Sequence, residues 1–227
     1  MRKKVYRNIW FKALGSFGFV IMGALGFHYA VDTVFAALIL AGLMLGAIAD
    51  VVIDLRFFNT PHRSAFFIGG TGIFIVGHIM YLLAVLPRSM HILICIGVGL
   101  IAAMALLFVF SKVLVYKRIY KYVAFVYVPL IIVMSAVAVG AAITRSSMNA
   151  QMASSEFFLA ANLSRVLGFS GAFGAWAFAA GCILFALSDT LLLLNNFGKY
   201  KLHGGRTLTL SVYYAAQYII AISLFYN

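Results

Sequence analysis

Seven long apolar runs constrain this 227-residue chain more than any other feature of its sequence. Each has about twenty residues or more, enough to cross a hydrocarbon core of roughly 30 Å at 1.5 Å per residue. The runs are Ala13–Val31, Thr33–Leu55, Ala65–Leu86, Ile92–Ser111, Tyr122–Ile143, Phe169–Leu194 and Thr207–Tyr226. We therefore expect an all-α fold, a polytopic bundle of about seven transmembrane helices that forms a single domain over residues 1–227.

The composition excludes an ordinary soluble domain. Hydrophobic residues make up 65% of the chain and charged residues 10%, whereas a soluble domain has about a quarter charged residues. The net charge of +12 would suggest nucleic acid in a soluble protein. Here the Lys and Arg residues stand in short clusters between apolar runs, as in membrane proteins, so we expect no nucleic-acid partner. Cys95 and Cys182 lie inside apolar runs and are interpreted as small buried hydrophobic residues.

The same basic clusters predict the orientation in the membrane. With a cytoplasmic N-terminus, the outer segments would hold only Arg88, Arg145 and Arg165 of the 17 Lys and Arg residues. This asymmetry predicts the N-terminus inside and the C-terminus outside. The compact loops suit a bacterial inner membrane.

The stretch FFLAANLSRVLGF, residues 157–169, is expected either to lie along the outer interface or to extend the sixth span.

Rare polar residues occur at a similar depth in four of the runs. At 1.5 Å per residue, most of them fall in one layer roughly 9–20 Å below the predicted cytoplasmic boundary. They are Asp50, His78, Tyr81, Asp189, Tyr213, Tyr214 and Gln217. Any one of them alone is as well explained by helix packing. Together, at one depth, they predict a buried polar site.

Spacing places several of these residues on faces with small neighbours. Gly42, Gly46 and Asp50 follow one another at intervals of four, so a second helix can approach closely beside the acid. Lys12, at the cytoplasmic end of the first run, is expected to snorkel or to pair with a carboxylate. Asp54, one turn beyond Asp50, is interpreted as an interface ion pair.

Four stretches in order resemble the YhhN-like lysoplasmalogenase family of multi-pass membrane proteins. They are GAIADVVIDLRFF, GGTGIFIVGHIMYLLAV, ILFALSDTLLLLNNF and SVYYAAQYIIA. The stretch WFKALGS is similar to the Lys-containing start of a span in that family. The resemblance covers roughly residues 12–86 and 172–226, and the middle is similar only in hydropathy. Ala49 stands where the family usually has Gly, and one N-terminal span of the usual eight is missing, as in a seven-span variant or a shortened chain.

The resemblance implies hydrolysis of the vinyl ether bond of lysoplasmalogens. The products are a fatty aldehyde and glycerophosphocholine or glycerophosphoethanolamine, so the expected partners are a lysophospholipid substrate and membrane lipids. A vinyl ether is cleaved by protonating its alkene carbon, after which water captures the oxocarbenium ion. This chemistry needs an acid, an anion beside the cation and a base for water.

The candidate site follows from that chemistry. Our hypothesis is that Asp50 and Asp189 supply the acid and the anion, with the choice between them open, and that His78 and Tyr81 position water or the substrate oxygen. Lys12 is assigned to the lipid phosphate. The residues expected to orient carboxylates or substrate are Ser188, Tyr213, Tyr214 and Gln217.

Two other classes of function stay open from the residues alone. A metal-dependent lipid hydrolase would hold zinc on His78, Asp50 and Asp189, although such sites usually have more histidines. A proton-coupled transporter or a lipid-binding protein would use the buried carboxylates without bond cleavage. We favour the hydrolase without metal or cofactor, and we make no prediction of the oligomeric state.

Overall fold

Seven α-helices follow one another in the computed structural model, which describes residues 2–57, 62–115, 118–153, 158–199 and 204–226. They are α1 (Arg2–Tyr29), α2 (Thr33–Leu55), α3 (Arg63–Val85), α4 (Ile92–Val113), α5 (Arg118–Ala153), α6 (Phe158–Phe197) and α7 (Gly205–Ser223). Short 3₁₀ turns follow α3 and α7. Within these described ranges there is no strand, and one isolated bridge pairs Leu114 with Gly198. The predicted all-α fold is confirmed.

Six of the described helices are long and apolar enough to cross a membrane. They are Thr33–Leu55, Arg63–Arg88, Ile92–Val113, Lys121–Gln151, Gly171–Phe197 and Gly205–Tyr226. The first helix, α1, runs unbroken for 28 residues but is not among these six. It packs against α2 and α7. The chain is thus a polytopic helical membrane protein, and its orientation stays a prediction.

The start of α2 shows how a polar residue sets a helix boundary. Asp32 has an extended backbone, and its Oδ1 accepts a hydrogen bond from the Phe35 backbone N–H at 3.0 Å. This is the usual N-cap arrangement, in which a side chain satisfies an otherwise unpaired amide. The backbone hydrogen bond, with a smaller effect from the nearby Arg88, lowers the pKa of the Asp32 carboxyl. The cap fixes the end of α2 that lies farthest from Asp50.

The helix that contains the sixth predicted span is longer than the apolar run that predicted it. Helix α6 is continuous from Phe158 to Phe197, 40 residues in all. The backbone of residues 158–169 therefore continues the helix of the sixth span, whose candidate membrane segment begins at Gly171, and the position of these residues relative to the membrane stays a prediction. The position of Phe157 and the side chain of Arg165 lie outside the described part of the structure.

Close packing of α2 on α3 and of α6 on α7 forms the core of the bundle. A Cβ atom at Gly42 would overlap the ring of Tyr81, which is almost fully buried. This contact confirms that the small face of α2 admits a neighbouring helix. Helix α4 lies at the edge, contacts mainly α5 and exposes large apolar side chains such as Leu93 and Ile101, as a lipid-facing helix would.

Candidate functional site

A cavity of about 490 Å³ lies at one end of the bundle. It is bounded where α2 and α6 end and where α3 and α7 begin, and α1 and α5 complete its wall. Asp50 and Asp189 both line this cavity. In the predicted orientation this is the cytoplasmic end. The structure therefore brings the two candidate acids to one space.

Asp50 is held by three donors from α1 and α7. Ser16 Oγ donates to its Oδ2 at 2.6 Å, and the Tyr213 hydroxyl donates to the same oxygen at 2.9 Å. Lys12 Nζ lies 3.1 Å from its Oδ1. Asp50 is only 4% exposed. One cation and two hydroxyl donors thus surround this buried carboxylate.

Lys12 connects Asp50 to a second buried acid. Its Nζ lies 3.4 Å from Oδ1 of Asp54, which is one helical turn from Asp50 on α2 and equally buried. The expected pairing of Lys12 with a carboxylate is present. Its other expected partner was the lipid phosphate, and that expectation stays a prediction. Asp54 does form an ion pair, but it does so inside the bundle and with Lys12. With both acids ionised, this group of three carries one net negative charge.

A chain of hydrogen bonds continues from Asp50 into the core. Gln217 Nε2 donates to the Tyr213 hydroxyl at 3.3 Å, and the Tyr81 hydroxyl donates to Gln217 Oε1 at 3.1 Å. The chain links α3, α7 and α2 through residues that are almost fully buried. Because Gln217 donates to Tyr213, the Tyr213 proton points to Asp50. Tyr81 and Gln217 thus act on the acid through Tyr213.

Asp189 has a simpler environment. The Tyr127 hydroxyl donates to its Oδ2 at 2.5 Å. Among the described residues, no Lys, Arg or His forms an ion pair with Asp189, and its side chain is buried. The two candidate acids therefore have unequal partners.

Two predicted residues bond to backbone atoms instead of carboxylates. Ser188 Oγ donates to the carbonyl of Thr209 at 3.1 Å and so joins α6 to α7. The Tyr214 hydroxyl donates to the carbonyl of Lys12 at 3.0 Å and joins α7 to α1. Both contacts fix the helices that carry the acids. Ser188 also lines the cavity, so it stays in reach of a ligand.

His78 lies behind the cavity wall and is not among the residues that line it. Its Nδ1 is 2.6 Å from the carbonyl of Phe74, so this nitrogen carries a hydrogen, and Nε2 has no partner. The ring meets Phe185 and Tyr127 edge-on, at centroid distances of 4.5 and 5.5 Å. The structure thus places His78 against the tyrosine that holds Asp189.

Several residues of the site were not predicted from the sequence. Ser16 follows Lys12 by four residues and so shares its helix face, which is a usable signal. Tyr127 lies in α5, where no motif was found. At the cavity mouth, the Arg56 and Arg206 guanidinium groups lie 4.8 and 5.1 Å from the ring centroid of Phe57. Both cations line the same cavity as Lys12.

The zinc alternative would need a cluster of ligand side chains. Within the part of the chain that is described, no three His, Cys, Asp or Glu side chains stand together as metal ligands would.

Comparison with known families extends the resemblance over the whole site. The model of the YhhN family matches residues 8–224. The chain belongs to the YhhN family. No curated protein and no solved structure matches it significantly. The family match includes α4 and α5, whose sequence resembled the family only in hydropathy, and thus includes Tyr127. The residues that line the cavity of this YhhN member, from Lys12 to Tyr213, all fall within the match.

Proposed function

We propose that this protein is a membrane-embedded hydrolase that cleaves the vinyl ether bond of lysoplasmalogens. The products are a fatty aldehyde and glycerophosphocholine or glycerophosphoethanolamine. One observation carries the proposal: two buried carboxylates line one cavity and have unequal partners. Membership of the YhhN family supports it. A cavity of about 490 Å³ also lies within the usual range for small-molecule sites.

The unequal partners support one assignment of the two roles that the sequence left open. Asp50, beside Lys12, Ser16 and Tyr213, is the permanent anion. Asp189, which has a tyrosine and no ion pair in the described chain, is the general acid. Pairs of carboxylates in different environments divide acid and anion roles in this way.

Each proton and bond of the proposed reaction is accounted for by Asp189, the substrate and one water molecule. Asp189 gives its proton to the outer alkene carbon, and the resulting oxocarbenium ion forms beside the Asp50 carboxylate. Water attacks the cationic carbon and returns a proton to Asp189, which gives a hemiacetal. The hemiacetal loses its hydroxyl proton as the carbon–oxygen bond to glycerol breaks, and the glycerol oxygen takes up a proton. One water is consumed for each bond cleaved.

The mouth of the cavity suits the polar end of the lipid. Arg56 and Arg206 provide cationic groups for the phosphate, the role first assigned to Lys12. Guanidinium groups bind phosphate through paired N–H donors. Apolar side chains of α6, such as Leu192 and Leu193, line the same cavity and suit the alkenyl chain.

The proposal is tested by aldehyde release from lysoplasmenyl-ethanolamine by the purified protein in detergent. Asp189→Asn and Asp50→Asn should each lower kcat about a hundredfold or more, because each removes a group that acts on the reacting atoms. Thr190→Val, next to Asp189 but outside the cavity lining, is the matched control and should keep nearly the wild-type rate. Wild-type rates in the folded Asp189→Asn and Asp50→Asn proteins would overturn the proposal.

A further inference from the structure

A second cavity, of about 680 Å³, lies at the opposite end of the bundle. It is bounded where α2 begins and α3 ends, with walls from α5, α6 and the C-terminal turn. Asp32 lines this cavity and Asp54, at the other end of α2, lines the first. No described residue lines both cavities. The second cavity is therefore a separate space that the proposed hydrolysis does not use.

Among the described residues that line this cavity, the charged side chains are Asp32, Arg88 and Arg145, with one net positive charge. Arg88 Nη2 lies 2.5 Å from Asp32 Oδ2, so these two charges offset each other. The Arg88 guanidinium also stacks over Phe35, 3.5 Å from the ring centroid, which fixes its position. Arg145 lines the same cavity and its charge acts unfavourably on Arg88. An anion bound beside Arg145 would relieve that repulsion.

The rest of the wall is apolar and lies among membrane-spanning helices. Phe35 and Phe178 stack edge-on at 5.7 Å and are almost fully buried, and Ala138 and Ala141 form the facing wall on α5. Such a wall gives a hydrated ion nothing to bind, whereas it suits a hydrocarbon chain. One net cation at the edge of an apolar cavity fits a ligand with one anionic group and one apolar part.

We propose that this cavity binds the anionic headgroup of a membrane amphiphile, a carboxylate or a phosphate, with the hydrocarbon chain against Phe35 and Phe178. Arg145 makes the charged contact. Arg88, held by Asp32, forms the second wall of the headgroup site. Neither the acids of the first cavity nor any bond cleavage takes part.

Trp176 provides a reporter beside this cavity. Its indole N–H donates to Ser146 at 3.0 Å, next to Arg145, and its chain neighbour Ala175 lines the cavity. The chain has two tryptophans, so Trp10→Phe leaves Trp176 as the only one. Dibrominated stearate, which quenches tryptophan at short range, should quench Trp176 saturably in the purified protein at alkaline pH. Unbrominated stearate should compete.

Charge and location are tested by matched variants. Arg145→Gln should raise the apparent Kd for dibrominated stearate about tenfold or more, and Arg145→Lys should restore most of the affinity. Lys112→Gln is the control. It removes an exposed cation at the end of α4 that lies away from this cavity, and it should bind dibrominated stearate as the parent protein does. Arg145 is exposed, so equal unfolding temperatures are expected for parent and variant.

Three results would overturn the proposal. The first is unchanged affinity in Arg145→Gln. The second is equal affinity for the methyl ester of dibrominated stearate, which would show that charge is not recognised. The third is displacement of the amphiphile by millimolar acetate or inorganic phosphate, which would show a site for free anions.

Discussion

Asp50 and Asp189 are the same residue type in one cavity, and their neighbours make them chemically different. Asp50 has a cation and two hydroxyl donors, whereas Asp189 has the Tyr127 hydroxyl. A buried ion pair is costly to break from one side, because the remaining charge stays buried. For this reason the proposed mechanism uses Asp50, beside Lys12, as the anion and Asp189 as the proton donor.

Tyr127 allows this division of roles to be tested without touching either acid. Tyr127→Phe removes the hydroxyl that orients Asp189 and keeps the ring beside His78. We expect kcat for aldehyde release to fall about tenfold with KM unchanged, since positioning and not substrate binding is lost. Tyr122→Phe, an exposed residue of the same helix, is the control and should leave kcat unchanged. A rise in KM alone would show that Tyr127 binds substrate instead.

The boundaries of individual helices were predicted with unequal success. Helix α2 was predicted as Thr33–Leu55 and was found with those bounds, because an N-cap and a charged turn interrupt the apolar run at each end. Helix α5 was predicted as Tyr122–Ile143 but runs from Arg118 to Ala153. Hydropathy reports where a helix is apolar, and α5 continues into polar sequence on both sides.

Substitution of a packed glycine on α2 and of an open glycine on α3 should have opposite effects. Gly42→Ala places a methyl group against the Tyr81 ring and should lower the free energy of unfolding by about 1–3 kcal/mol. It should also lower aldehyde release, because the Tyr81–Gln217 hydrogen bond depends on the ring position. Gly72→Ala on α3 meets open space and should raise stability by up to about 1 kcal/mol. Thermal unfolding in detergent measures both, and equal stability of the two variants would contradict the packing described here.

The partners of the site residues show what sequence reasoning could not supply. Asp50 and Asp189 were found because a carboxylate in an apolar run is rare and costly. Tyr127 was missed because Tyr is common in membrane helices and carries no such signal, and Ser16 has only the weaker signal of sharing a helix face with Lys12. Whether each faces an acid depends on how α5 and α1 are rotated in the bundle, which only the packing determines.

At the scale of the whole molecule, two cavities of different character lie at opposite ends of one bundle. The first contains acids and cations, and the second contains an ion pair, a further arginine and aromatic rings. The charge asymmetry of the sequence predicts that the first faces the cytoplasm. This places the proposed hydrolysis and the proposed amphiphile site on different leaflets.

Orientation is tested with single cysteines at the two exposed ends of α4. In a Cys95→Ala, Cys182→Ala background, Met90→Cys should react with a membrane-impermeant maleimide in intact cells. Ser111→Cys should react only after the membrane is permeabilised. The opposite pattern would reverse the predicted orientation and place the acid site on the outer side.

The central claim is that this bundle protonates the alkene carbon of a lysoplasmalogen. The most direct measurement is mass spectrometry of the aldehyde released by the purified protein in D₂O, with authentic aldehyde incubated alongside as the exchange control. The account predicts one deuterium on the carbon next to the carbonyl in each molecule formed, and about a hundredfold less product from Asp189→Asn. Aldehyde formed without that deuterium, or no aldehyde from the wild-type protein, would contradict it.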